Sequence, residues 1–136
     1  MTIEIREIKA EDTWPMRHKV MWPDQPLDYV ILPQDEEGLH YGLFKEDKLI
    51  SVISLFIDME EAQFRKFATA TEAQGNGYGS ALLFHLLETA KKLGMKKIWC
   101  NARTDKASYY ERFGLSKTHQ HFKKGGIDYV IMERYL

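Results

Sequence analysis

Gln74-Gly75-Asn76-Gly77-Tyr78-Gly79 sets three glycines at alternate positions in one short turn. Ahead of it, Ala62 to Ala70 reads as a strand. Behind it runs a helix to Leu93, stopped by Gly94, with Lys91 and Lys92 at its negative end. Strand, glycine turn and helix, in that order, make a layout for holding a phosphate. Without side chains, several backbone N–H groups can point into one concavity, and the helix start adds unpaired donors and partial positive charge. A turn that needs glycine only for its φ angles is the plainer alternative. It does not call for three glycines in alternation at a helix start.

Working outward, Leu82, Leu86, Ala90 and Leu93 form one stripe, and Ala81, Leu83 and Leu87 widen it into a helix packed on a sheet. In the preceding strand the alternation slips. Phe64 and Phe67 are three apart, so a regular strand would point them to opposite faces, and a bulge would reconcile them. Further out, Ile3, Ile5 and Ile8 read as a first strand. A helix capped by Asp12 or Thr13 is predicted from about Trp14 to Met21, where Pro23 ends it. Residues 22–38, with Pro23, Pro26 and Pro33, read as a long loop with room for a short helix. Leu39 to Phe44 and Leu49 to Ile57 make a hairpin around Lys45-Glu46-Asp47-Lys48. Lys96 to Asn101 is a strand, Asp105 to Phe113 a short helix closed by Gly114, and residues 115–122 and 127–135 two strands around Lys124-Gly125-Gly126. The order is mixed α and β with one strand–turn–helix–strand unit at its centre.

The chain has 136 residues, the length of one domain, with 44% hydrophobic and 29% charged residues. No stretch is long and apolar enough for a membrane span, and Met1-Thr2-Ile3-Glu4-Ile5-Arg6 does not read as a signal peptide. One cysteine, Cys100, excludes an internal disulfide and a multi-cysteine metal site, and a cytoplasmic location is expected. The net charge of −1 offers no argument for nucleic acid. Its distribution is uneven: residues 1–64 balance at −8 and residues 65–136 at +7. By halves, an anionic ligand suits the second part and a cationic one the first.

A P-loop would end in Gly-Lys-Ser/Thr, and here Gly79-Ser80-Ala81 follows; a dinucleotide fingerprint needs a third glycine where Ser80 stands. What remains is coenzyme A. Gln74-x-x-Gly77-x-Gly79 resembles the Q/R-x-x-G-x-G/A pyrophosphate loop of the GNAT superfamily of N-acetyltransferases. Tyr109-Tyr110-Glu111-Arg112-Phe113-Gly114-Leu115 is similar to the family's F-Y-E-K-x-G-F segment, with Leu115 in place of the usual Phe. Residues 50–136 carry the likeness. It implies a GNAT-like fold over a single N-acetyltransferase domain, residues 1–136: a central, mostly antiparallel sheet of about six to seven strands flanked by about four helices. It also implies acetyl-CoA as acyl donor and a primary amine of a small molecule or peptide as acceptor, attacked directly through a tetrahedral intermediate. No nucleic acid, membrane or metal is expected as partner, and the chain is expected as a monomer or homodimer. The alternative is a non-catalytic acyl-CoA-binding regulatory module.

By the same resemblance, Phe67, Ala68 and Thr69 lie along the pantetheine arm, Gln74, Gly75, Asn76, Gly77, Tyr78, Gly79 and Ser80 cradle the pyrophosphate, and Asn101 and Tyr110 complete the cofactor site. Arg103 stands seven residues before Tyr110, where many relatives carry Asn. The chemistry needs a neutral amine, donors for the carbonyl oxygen and a proton for the departing thiolate. Backbone N–H groups freed by a bulge near Phe67 suit the second role, and the Tyr110 phenol the third. For the base, residues 62–70 contain no Asp or Glu. His40 is the first candidate; His119, His121 and water are the others. His119-Gln120-His121 lacks a third metal ligand. Cys100 reads as a buried, inert thiol. Trp22 is the tryptophan best placed for an acceptor, at the edge of the irregular loop.

Overall fold

Seven strands form the frame: β1 (Ile3–Ile8), β2 (Leu39–Lys45), β3 (Lys48–Asp58), β4 (Glu61–Thr69), β5 (Lys97–Arg103), β6 (Ser116–Lys124) and β7 (Ile127–Tyr135). The computed structural model describes residues 2–136; Met1, the start of the stretch read for a signal peptide, lies outside them. The strands join one sheet in the order β1-β2-β3-β4-β5-β7-β6. Every neighbouring pair is antiparallel except β4 and β5. A parallel pair needs a crossover, and the helix α2 (Tyr78–Lys92) supplies it.

The stripe on α2 builds the core. Leu82, Leu83, Leu86, Leu87 and Ala90 are buried against Leu43, Ile53, Leu55, Ala62, Phe64 and Ile98. Each buried leucine contributes about 1.5–3 kcal/mol relative to exposure. Leu93, expected as the last member of the stripe, is instead 47% exposed where the helix ends. The helix α3 (Ala107–Glu111) packs with β5, β6 and β7.

Side chains alternate along a strand, so His40 and Ser54 point away from the face that Tyr41, Ile53 and Leu55 present to α2. The segment before β2 covers that second face. Its helix α1 (Ala10–Met16) starts four residues earlier than the sequence suggested, because Asp12 reaches back to accept from the Lys9 N–H at 3.0 Å instead of capping a later start. Past Pro15 the helix widens into a π-helical turn, Arg17–Met21. Residues 22–38 hold two 3-10 turns, Leu27–Val30 and Asp35–Glu37, in place of a fourth helix, so three α-helices are found among the described residues. None of the described helices is long and apolar enough to cross a membrane.

Candidate active site

β4 and β5 are paired over three positions only, Glu61 to Gln63 with Lys97 to Trp99. Beyond them the strands part. Phe64 to Thr69 keep β3 on one side and have no strand on the other, and Cys100 to Arg103 keep only β7. The sheet therefore opens a slot at its centre, edged by backbone groups that no neighbouring strand takes up.

The bulge lies on this open edge. Ser54 pairs with Arg65 and Val52 with Ala68, so two steps on β3 match three on β4. Lys66 is the extra residue, with φ of 56°. That left-handed conformation costs a side-chain-bearing residue roughly 1–2 kcal/mol. The bulge returns Phe67 to the face of Phe64: Phe64 is buried, and Phe67 packs against the same core.

The glycine turn abuts that edge. A Cβ on Gly79 would stand 3.0 Å from Thr69 Oγ1 and 3.2 Å from the Phe67 ring, so only glycine lets the helix start sit this close to β4. Gly75 and Gly77 have φ of 82° and 81°, and a Cβ on either would project into open space. Among the described residues, no acceptor bonds the N–H groups of residues 75–80; the helix's first backbone bond there is Ala81 N–H to Gly77 O. The turn thus presents successive free donors with open space beside Gly75 and Gly77, a cradle that suits a pyrophosphate. Two side chains fix its shape from within. Gln74 Nε2 donates to Thr69 O at 2.9 Å, and Asn76 Nδ2 to Ala73 O at 3.0 Å. Tyr78 packs on the core with the Lys45 ammonium 5.5 Å from its ring.

From the turn the contacts lead to the tyrosines. Ser80 Oγ and the Tyr109 hydroxyl are 2.9 Å apart, the Tyr109 and Tyr110 rings lie 5.3 Å apart, and Tyr110 lies 5.8 Å from Phe64 on β4. Burial, reinforced by Cys100 and Tyr109, pushes the Tyr110 phenol well above its ordinary value, so it stays protonated. Its hydroxyl has no hydrogen-bond partner among the described residues. Burial also pushes the Cys100 thiol up to about 12. Ala68 is buried, Thr69 Oγ1 meets Ser51 Oγ at 2.8 Å, and Asn101 is exposed on β5 beyond the last pair with β4. Contacts thus run from Phe67 and Thr69 through the glycine turn and Ser80 to Tyr109 and Tyr110, and Asn101 lies on the part of β5 that has left β4.

His40 departs from its expected placement. It is 3% exposed, with Nδ1 2.7 Å from Ser54 Oγ and Nε2 2.8 Å from the Asp35 carbonyl. A carbonyl can only accept, so Nε2 carries the proton and Nδ1 takes the Ser54 hydroxyl. A base needs a free lone pair facing the substrate, and this ring has none. His119 and His121 are exposed on β6, and the register between Lys117 and His121 is broken, so simple alternation does not hold there.

The sequence reading missed what holds His40. Arg17, fully buried, donates to both carboxylate oxygens of Asp35 at 2.8 and 2.9 Å, to Val30 O at 2.9 Å and to Ser54 Oγ at 2.9 Å. Burial alone would raise the Asp35 carboxyl. Bonds from Arg17, the Leu32 N–H and the Trp14 indole outweigh it and hold the group below its ordinary value. Trp22, 5.2 Å from the Tyr29 ring, has a buried indole N–H with no partner among the described residues.

Comparison with known proteins gives the family and the fold. Residues 5–115 match the profile described as the Acetyltransferase (GNAT) family. The Uncharacterized N-acetyltransferase YitI of Bacillus subtilis (strain 168) is 28% identical over 144 residues, spanning 98% of this chain and 97% of that protein. Among solved structures, a Lactobacillus plantarum protein overlays with a TM-score of 0.88 at 20% identity, covering 100% of this chain and 99% of the other. A GNAT family acetyltransferase from Elizabethkingia anophelis, solved with acetyl-CoA bound, overlays with a TM-score of 0.77 at 19% identity, covering 98% of each chain.

Proposed function

Because this chain belongs to the acetyltransferase (GNAT) family, we propose that it is an N-acetyltransferase that moves an acetyl group from acetyl-CoA to a primary amine of a small molecule or peptide, over a single domain of residues 1–136. One observation carries the reading: the slot between β4 and β5, the bulge at Lys66, the donor-rich turn and Tyr110 form one continuous set of contacts. The donor-rich cradle at residues 75–80 fits the donor's pyrophosphate, and the open edge of β4 around Phe67, Ala68 and Thr69 fits its amide-bearing arm.

The step is a direct attack through a tetrahedral intermediate. The amine nitrogen forms a C–N bond to the acetyl carbon, the C–S bond breaks, and the sulfur leaves with the electron pair. N–H groups on the open edge at the bulge stabilise the carbonyl oxygen as it gains charge. The Tyr110 hydroxyl, protonated and otherwise unbonded, gives the leaving sulfur its proton. The nitrogen's surplus proton goes to water, and the Tyr110 phenolate takes a proton back from water before the next turnover. His40 supports the bulge from behind, through Ser54, which is the register partner of Arg65.

A second reading, an acyl-CoA-binding module without catalysis, draws on the lack of any carboxylate in residues 62–70 and the engaged nitrogens of His40. Release of coenzyme A thiol with a panel of amines separates the two. Calorimetry with acetyl-CoA on Gly77→Val, checked as folded by circular dichroism, tests the cradle. The expected result is loss of binding, because the new side chain would occupy the phosphate's space; unchanged affinity in the folded variant overturns the assignment.

A further inference from the structure

The bulge sets two cations side by side on β4. Arg65 lies with its guanidinium carbon 6.0 Å from the Phe56 ring, which itself stands edge-on to His40, so it belongs to the face covered by the segment before β2. Lys66 follows at the positive-φ position, and both side chains are half-buried. The charges whose field reaches them are mostly of like sign: Arg17 acts on Arg65, and Arg65, Arg17 and Lys124 act on Lys66. Asp35 is the one carboxylate that acts on either, and it is already bound to Arg17 by two bonds. Among the described residues, neither cation has an ion pair or side-chain hydrogen bond of its own. Loss of hydration and this repulsion pull the Lys66 ammonium down to about 8, and burial lowers Arg65 too. Half-buried charges without partners are unfavourable until an anion joins them.

We propose that Arg65 and Lys66 form an anion-binding step beside the reaction slot, and that the amine acetylated here carries a carboxylate that docks on it. The proposal rests on the acetyltransferase reading and adds the chemical class of the acceptor. It reverses what the charge by halves suggests. The acidic first half would favour a cationic acceptor, but Asp35, its carboxylate that acts on the bulge, is consumed by Arg17, and the two residues at the bulge open the basic half. A free ammonium meets repulsion at this place, which also favours the neutral, attacking form of the amine nitrogen. The donor's own phosphates are the competing source of anionic charge, so the test reads donor and acceptor separately.

Glycine, β-alanine and γ-aminobutyrate are compared with the length-matched alkylamines and diamines as acceptors, reading thiol release, while calorimetry reads acetyl-CoA affinity. The wild-type protein should use at least one carboxylate amine with kcat/KM about 10-fold or more above its alkylamine and diamine partners, the worth of one partly buried charge contact. Arg65→Gln and Lys66→Gln should each raise KM for that acceptor about 10-fold with acetyl-CoA affinity unchanged, and Arg65→Gln should keep kcat within about 2-fold. Arg65→Lys should keep the preference. Both neutral variants remove repulsion, so thermal melting should show them folded. Equal or better use of alkylamines or diamines, use of none of the three carboxylates, or an unaltered preference in both neutral variants overturns the proposal. So does weaker acetyl-CoA binding at constant acceptor KM, which would give the cations to the donor. A wild-type protein that fails to bind acetyl-CoA, or releases no thiol with any amine, refutes the acetyltransferase reading itself.

Discussion

Tyr110 keeps its proton because its ring is buried beside Phe64 and Tyr109 and near the Cys100 thiol. A phenol so held can donate to a leaving thiolate, and its loss should act in the transition state alone. Tyr110→Phe should bind acetyl-CoA normally and turn over at least about 10-fold slower, a floor below the usual range for acid catalysis. Steady-state kinetics paired with calorimetry decides it, and full kcat in the variant would remove the tyrosine acid from the mechanism. The neighbouring residue is less inert than its sequence position suggests. The Tyr109 hydroxyl meets Ser80 Oγ at the start of α2, so Tyr109→Phe should cost about 1 kcal/mol of stability and leave kcat intact. Cys100, with its thiol pushed up to about 12, should resist iodoacetamide at neutral pH in the folded protein and react once denatured. Cys100 and Tyr110 both hold protons more tightly folded than unfolded. Their stabilising effect is therefore complete below about pH 8.5 and is lost progressively as pH rises toward their folded values.

At the level of elements, the turn before α2 joins sequence to structure most directly. Gly77 has a left-handed backbone with open space where a Cβ would go. Gly77→Ala should therefore fold, lose about 1 kcal/mol from the strained φ, and bind acetyl-CoA more weakly; melting and calorimetry read the two effects separately. This element was legible because its signals are local: alternating glycines, a stripe of period 3.6 and a closing Gly94. The bulge was legible too, since Phe64 and Phe67 can share a face only if β4 gains a residue. Which residue takes the positive φ was not, because that depends on how β3 and β4 meet. α1 was misplaced for a similar reason. Asp12 can cap a helix that follows it or brace one already begun at Ala10, and its bond to the Lys9 N–H decides for the second. His40 was the harder case. Its burial comes from Arg17, Asp35 and Ser54, which lie on three separate segments with no shared periodicity.

Across the whole molecule, the segment before β2 is pinned by one buried ion pair. Arg17 and Asp35 are 0% and 3% exposed. Removing one charge leaves the other buried without its partner, so Asp35→Asn should cost about 3–5 kcal/mol in urea melts at neutral pH. The Asp35 carboxyl lies below its unfolded value, so its contribution is complete above about pH 4 and disappears as pH falls through the folded value. Wild-type stability should fall more between pH 7 and pH 3 than that of the Asn variant. The fold class was legible at this scale, whereas charge read by halves was not a map of charge in space, because both halves contribute to the field at the bulge. The three pairs between β4 and β5 have a mechanical meaning as well. Strand pairing crosses the middle of the sheet only through this short stitch, and the shared core packs over the rest. Acetyl-CoA lying in the gap would work as a splint, bonding to an edge that β5 leaves open. Deuterium uptake at Phe64–Thr69 and Cys100–Arg103 should then slow on loading, up to the about 2.7 kcal/mol that mass action allows at a hundredfold excess over Kd. Uptake in β1 and β2 should change little, and the protein should be stiffest along its seam when acetyl-CoA is bound.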